Sequence, residues 1–175
     1  AVVKADGYGH GAVRVAQTAL GSGAEHLGVA YAQEAVEIRR AGLTAPILVL
    51  GAAPPESVEA LLKYDLAQSV CDTDIPRALS AGSPADRPAK VHVKVDTGMG
   101  RIGVAPADVP DYVAFLQRLP NIEIEGIFTH FPKSDEADPG FSNKQIETFT
   151  ALLADLSSRG VTIPIRHMAN SGGAL

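Results

Sequence analysis

Short apolar runs recur along the chain, and most are followed by a stretch with apolar residues spaced for one face of a helix. The runs cover residues 1–5, 27–31, 47–51, 67–71, 91–95, 122–130 and 163–168. Between them, residues 12–20, 33–41, 57–64, 109–119 and 144–158 carry amphipathic helical patterns. In the fourth of these, Val109, Tyr112, Val113 and Leu116 fall on one helical face. Proline or a polar cap precedes several helices, as in Pro54-Pro55-Glu56, Pro106-Ala107-Asp108 and Ser142-Asn143. Regular alternation of this kind predicts βα units and a mainly parallel sheet. Seven units in succession, without a visible second domain, predict an α/β fold of the (β/α)8 TIM-barrel type with its last strand missing.

A doubly wound open sheet is the alternative arrangement. It commonly places G-x-G-x-x-G after the first strand, whereas this chain reads Gly7-Tyr8-Gly9-His10-Gly11, with the wrong spacing. No internal repeat or interdomain linker is visible, and the polar loop at 83–87 is too short to separate domains. The 175 residues are 46% apolar and 20% charged, an ordinary balance for a globular domain with a core. The formal charge of −5, with scattered basic residues, argues against a nucleic-acid surface. No apolar run approaches the roughly 20 residues of a membrane span. The one cysteine, Cys71, lies in an apolar stretch and is expected to be a buried small residue in a protein of a reducing compartment. The chain opens at Ala1 inside an apolar run, which points to an interior piece of a longer protein.

Function in a barrel resides at the carboxyl ends of the strands, so the polar residues there are the candidates. The first run ends at Lys4, followed by Ala5-Asp6-Gly7. A lysine directly after an apolar strand is partly desolvated, which favours its neutral, nucleophilic form. Taken alone it also fits a snorkelling surface lysine before a flexible turn. In the fifth run Val91, Val93 and Val95 alternate with His92, Lys94 and Asp96. Such a polar face cannot line a dry interior without partners, so it predicts a hydrogen-bonded network. The loop Thr97-Gly98-Met99-Gly100-Arg101 follows. His130 ends the sixth run, and Asn170-Ser171-Gly172-Gly173, after the seventh, offers a hydroxyl and backbone N–H groups suited to a phosphate. The five histidines lack the close pairing of a zinc site, and no G-x-S-x-G elbow appears.

Residues 2–11, Val-Val-Lys-Ala-Asp-Gly-Tyr-Gly-His-Gly, closely resemble the cofactor-lysine motif of bacterial alanine racemases. Residues 93–103, Val-Lys-Val-Asp-Thr-Gly-Met-Gly-Arg-Ile-Gly, resemble a second signature of that family. Residues 126–131 and 167–171 are similar to two more, in the same order. The resemblance implies the amino-terminal barrel, here residues 1–175, of a pyridoxal-phosphate enzyme, with a carboxy-terminal β domain absent from this chain. It implies that Lys4 holds the cofactor as an imine and is one of two catalytic bases. Tyr8 and Ser171 would bond the cofactor phosphate, with Asn170 beside it. Arg101 would lie near the cofactor's phenolic oxygen and the substrate carboxylate. Lys94 corresponds to a lysine that is often carbamylated, and His130 to a histidine supporting an arginine of the eighth strand. The resemblance further implies interconversion of L- and D-alanine for peptidoglycan, a cytoplasmic homodimer, and a second base supplied by the partner subunit. A broad-specificity racemase, a decarboxylase or a non-catalytic cofactor carrier on the same barrel remain alternatives.

Overall fold

The computed structural model describes residues 1–174. In chain order the elements are α1 (Lys4–Gly9), α2 (Ala12–Gly21), β1 (Leu27–Val29), α3 (Ala32–Arg40), β2 (Ile47–Val49), α4 (Val58–Lys63), β3 (Ala67–Val70) and α5 (Asp74–Gly82). They continue with β4 (Ala89–Lys94), α6 (Val109–Arg118), β5 (Ile122–Phe128), α7 (Gly140–Ser158), β6 (Ile165–His167) and α8 (Ser171–Ala174). Single 3₁₀ turns at Pro55–Ser57 and Pro106–Asp108 lead into α4 and α6, each with proline where the missing N–H costs nothing. The chain divides into two compact units. One holds Ala1–Val91 and Leu119–Glu123, and the other holds His92–Arg118 and the chain from Ile124 onward.

In the first unit β1 pairs in parallel with β2, setting Leu27 against Ile47 and Val29 against Val49. Strand β2 pairs in parallel with β3, with Val49 against Gln68. The expected first strand at 1–5 is shorter than its apolar run. Val2 bridges Gly28 in parallel, and the Val3 N–H donates to the Gly28 carbonyl at 2.7 Å. The chain then leaves the strand at Lys4. Six strands plus this bridged segment therefore occupy the seven expected positions among the described residues. All three residues of β1 are buried, as expected of a parallel strand covered on both faces. Val3, Leu27, Val29, Ile38, Ile47 and Leu61 form the apolar centre of this unit, each at most 1% exposed. Each such side chain contributes about 1.5–3 kcal/mol by leaving water.

Helix α5 is amphipathic, burying Ile75 and Leu79 at helical spacing, and Pro76 stands in its first turn. Proline is tolerated there, where N–H groups lack helical partners. Asp72 takes the place of a cap, its Oδ1 accepting from the N–H groups of Asp74 and Ile75, each at 2.9 Å. Cys71 is half-buried rather than fully enclosed.

In the second unit β5 and β6 pair in parallel, with Gly126 against Ile165 and Phe128 against His167. Val109, Val113 and Leu116 of α6 are buried, as are Phe149, Leu152 and Leu156 of α7. Helix α7 starts at Gly140, four residues ahead of the amphipathic stretch, with its first N–H held by Asp138 Oδ1 at 2.9 Å. No described helix is long and apolar enough to cross a membrane.

Candidate functional site

Lys4 stands where the bridged segment ends, half-buried, with Nζ 6.0 Å from the centre of the Tyr8 ring. The turn that follows it is left-handed. Ala5 (φ 52°, ψ 51°), Asp6 (52°, 47°), Gly7 (61°, 37°) and Tyr8 (56°, 38°) all occupy the region that L residues avoid. For the three non-glycine residues this costs roughly 1–2 kcal/mol each. Local hydrogen bonds hold the turn against that cost. The Gly7 N–H donates to Val3 O at 2.9 Å and the Gly11 N–H to Asp6 O at 2.8 Å. Asp6 Oδ1 accepts from the Ala12 N–H at 2.7 Å, and Glu34 Oε1 accepts from the Ala5 N–H at 2.6 Å. Gly7 is required twice over, since a Cβ at this positive φ would also lie 2.8 Å from Val15 Cγ2. The flexible turn of the alternative reading is not found, and the segment after Lys4 is strained and anchored. Tyr8, at its end, is 60% exposed, so its hydroxyl is accessible.

The polar residues of β4 are buried in the second unit, His92 at 3% and Lys94 at 2% exposure. The network predicted for them is present. His92 Nε2 lies 3.0 Å from Glu125 Oε2, and His92 Nδ1 lies 3.3 Å from His167 Nε2. An ionised Glu125 only accepts, which places the proton of a neutral His92 on Nε2 and leaves Nδ1 to accept from His167 Nε2–H. His167 also stacks on Phe128, with ring centres 4.6 Å apart and planes 3° from parallel. Gly126 makes room for this chain, because a Cβ there would collide with the His92 ring. Lys94 Nζ donates to Val95 O at 2.8 Å and lies 5.3 Å from the centre of the Phe128 ring.

Beyond β4, Asp96 organises the loop that leads to Arg101. Its Oδ1 accepts from Gly98 N–H at 3.0 Å, and its Oδ2 from Gly100 N–H at 2.9 Å. Burial pushes this carboxyl up, but the N–H groups of Gly100, Gly98 and Met99 and the charge of Lys94 outweigh it, holding the acid below its ordinary range. Arg101 is exposed on this loop and makes no hydrogen bond or ion pair with a described residue. Its guanidinium is therefore available to an anion.

His130 is half-buried after β5, and its carbonyl accepts from Gln145 Nε2 at 3.0 Å. The same Nε2 donates to Thr97 Oγ1 at 2.9 Å, and Thr97 Oγ1 lies 2.8 Å from Thr129 Oγ1. Gln145, 1% exposed, thus ties the ends of β4 and β5 together. Past β6, Asn170 Oδ1 accepts from Ser134 Oγ at 2.6 Å and from Gly173 N–H at 3.0 Å, while its Nδ2 donates to Phe131 O at 3.0 Å. Asn170 is therefore committed to shaping the loop. Ser171 is exposed at the start of α8, where the first N–H groups have no helical partner. Gly172 lies so close to Ser134 that a Cβ would come within 2.9 Å of its Oγ.

Within the first unit Lys4 offers an amine that fits an aldehyde, and within the second Arg101 and Ser171 offer groups that fit an anion. A half-buried primary amine stands at Lys4, and accessible hydroxyls at Tyr8 and Ser171. In the second unit the N–H groups at the start of α8 precede any helical partner, and Arg101 carries an exposed guanidinium. Glu34 and Gln145, by contrast, were not singled out from the sequence, where each reads as an ordinary polar helix residue. Only the S/T-x-x-E-like position of Glu34 at the start of α3 hints at a backbone role.

The family model described as alanine racemase, N-terminal domain, matches residues 1–175. An alanine racemase of Symbiobacterium thermophilum is 48% identical over 176 residues, covering 100% of this chain and 47% of the relative. A crystal structure of alanine racemase from E. faecalis superposes with a TM-score of 0.92 at 42% identity, covering 99% of this chain and 47% of that one. A histidine racemase from Leuconostoc mesenteroides is also similar, with a TM-score of 0.87 at 27% identity over 98% of this chain and 46% of that one. The chain spans about half the length of these relatives. Its alternating parallel strands and helices are those of an incomplete (β/α)8 barrel. Matched throughout by the family model and by close relatives, the chain belongs to the alanine racemase N-terminal domain family.

Proposed function

We propose that the protein containing this chain racemises alanine with pyridoxal phosphate, and that Lys4 is the lysine that holds the cofactor. The observation that carries this reading is a half-buried lysine at a strand end, followed at once by a backbone turn held rigid at an energetic cost. Structures keep strain of this sort where a side chain must be aimed. The bound cofactor supplies an electron sink that acidifies the Cα–H of an attached amino acid. Lys4 Nζ anchors the cofactor and then takes or returns the Cα proton on one face. The Tyr8 and Ser171 hydroxyls donate to the phosphate, and Asn170 holds the Ser171 loop in shape. Arg101 receives the substrate carboxylate, because a planar guanidinium pairs with it through two parallel hydrogen bonds. Lys94 is the site of carbamylation, which would replace a buried cation with an anion able to orient Arg101. His130 supports an arginine supplied from outside this chain.

Inversion requires a second base on the opposite face. In this reading a tyrosine from the partner subunit of a homodimer supplies it, and the protein is cytoplasmic, making D-alanine for peptidoglycan. The 175 residues alone would then produce no D-alanine. The test is racemisation by the full-length protein, followed by polarimetry or an enzymatic D-alanine assay. Conversion of L-alanine by the wild type and its loss in Lys4→Ala supports the proposal. Full activity in Lys4→Ala would refute it.

A broader substrate range is the second reading, favoured by the similarity to a histidine racemase. A panel of L-amino acids separates the two. Alanine turned over far faster than histidine or lysine supports the first, and comparable rates support the second.

A further inference from the structure

Glu34 stands at the third position of α3, where a glutamate commonly reaches back to the exposed N–H groups at its own helix start. One oxygen does this. Oε2 accepts from the N–H groups of Ala30 at 2.6 Å and Tyr31 at 3.2 Å. The other oxygen leaves the helix altogether. Oε1 accepts from the N–H of Ala5, 29 residues away in sequence, at 2.6 Å.

That N–H belongs to the peptide plane joining Lys4 to Ala5. Because the plane is rigid, fixing its N–H fixes ψ of Lys4 and the start of the left-handed turn together. The direction in which the Lys4 side chain leaves the backbone follows from that plane. Ala5 is also the first left-handed residue, so its N–H lies ahead of the turn's own hydrogen bonds and finds its acceptor in Glu34. A charged acceptor makes this a stronger tether than a neutral one would be.

We infer that Glu34 is a positioning residue for Lys4, its carboxylate clamping the Lys4–Ala5 peptide so that Nζ is presented to the cofactor aldehyde. This rests on Lys4 being the cofactor lysine. The clamp and the helix cap can be separated by one substitution. In Glu34→Gln the single amide oxygen serves the two donors at Ala30 and Tyr31, and the NH₂ group then faces the Ala5 N–H, donor against donor. The cap survives and the clamp is lost.

The experiment uses the full-length protein stripped of cofactor, with Glu34→Gln, Glu34→Ala and the buried-core control Ile38→Val. Three quantities are read: the rate of cofactor capture by absorbance, amide exchange at Ala5, and kcat against KM. Glu34→Gln is expected to slow capture and lower kcat on the order of tenfold, with KM for alanine little changed. Its Ala5 amide should exchange faster, while Ile38→Val, though less stable, captures cofactor normally. Wild-type capture and kcat in Glu34→Gln would overturn the clamp, as would an equal slowing in Ile38→Val. Should Glu34→Ala fail to fold, Glu34→Gln decides alone. Borohydride reduction and mass spectrometry of the same samples locate the cofactor. Attachment away from Lys4 would remove the premise as well, whereas attachment to Lys4 at the normal rate would remove only the clamp.

Discussion

Lys4 follows the bridged segment of the first unit and Lys94 ends β4 in the second, and the protein holds them by different means. Around Lys4 the precision lies in the backbone. Four consecutive left-handed residues are fixed by carboxylates of Asp6 and Glu34, and the lysine side chain itself has few constraints. Around Lys94 the backbone is ordinary strand, and the precision lies in side chains. Lys94 is buried against a carbonyl and the Phe128 ring, on which His167, the end of a chain from Glu125 through His92, is stacked. A side chain that must change partners during turnover benefits from a rigid base and a free tip. A buried charge benefits from fixed neighbours, because leaving it unpaired costs several kcal/mol. The contrast fits the proposed roles, cofactor chemistry at Lys4 and support at Lys94.

The largest effect should come from Lys4→Ala in the full-length protein. Under the proposed function this removes both the cofactor anchor and one base, which predicts a fall in kcat/KM of at least about a thousandfold, measured by D-alanine formation. The same assay on Lys94→Met should retain much more activity, and equal losses would erase the contrast. Next comes Gly126→Ala, whose Cβ collides with a His92 ring held at both nitrogens. A loss of about 3 kcal/mol in denaturant unfolding is expected. Gly7→Ala meets a positive φ and Val15 Cγ2 at 2.8 Å, predicting a loss of about 2 kcal/mol. Unlike Gly126→Ala, it should also slow cofactor capture, because it disturbs the turn behind Lys4.

The smallest effect is that of Asp96→Asn, which removes a charged acceptor from the Gly98 and Gly100 N–H groups and is expected to cost about 1 kcal/mol. Its pH dependence has a definite sign. The folded carboxyl titrates below its unfolded value, so its contribution is present above the ordinary carboxylate range. That contribution disappears as pH falls through the folded value. The difference in Tm between wild type and Asp96→Asn should therefore be full at neutral pH and shrink below about pH 4.

Most of the architecture was legible as alternation. Strands β1 to β6 lie inside the apolar runs or within two residues of them, because parallel strands covered on both faces leave a continuous apolar signature. Helix α5 is absent from the amphipathic stretches read from the sequence although Ile75 and Leu79 keep helical spacing, because Pro76 beside them suggests a turn. Within the site, the alternation of valines with His92 and Lys94 correctly implied a buried network, because burial of those groups demands partners. The partners themselves, Glu125 and His167, lie 33 and 75 residues from His92 and follow only from the strand register. The left-handed turn was hidden for a related reason. Glycines at 7 and 9 signal a turn, but nothing local marks Ala5, Asp6 and Tyr8 as left-handed, since the groups that hold them include Glu34 on a later helix.

The most direct test is reduction of the full-length, cofactor-loaded protein with borohydride, followed by mass spectrometry of its peptides. A phosphopyridoxyl group on Lys4 is the expected result. The same group on Lys94 or any other lysine would contradict the assignment.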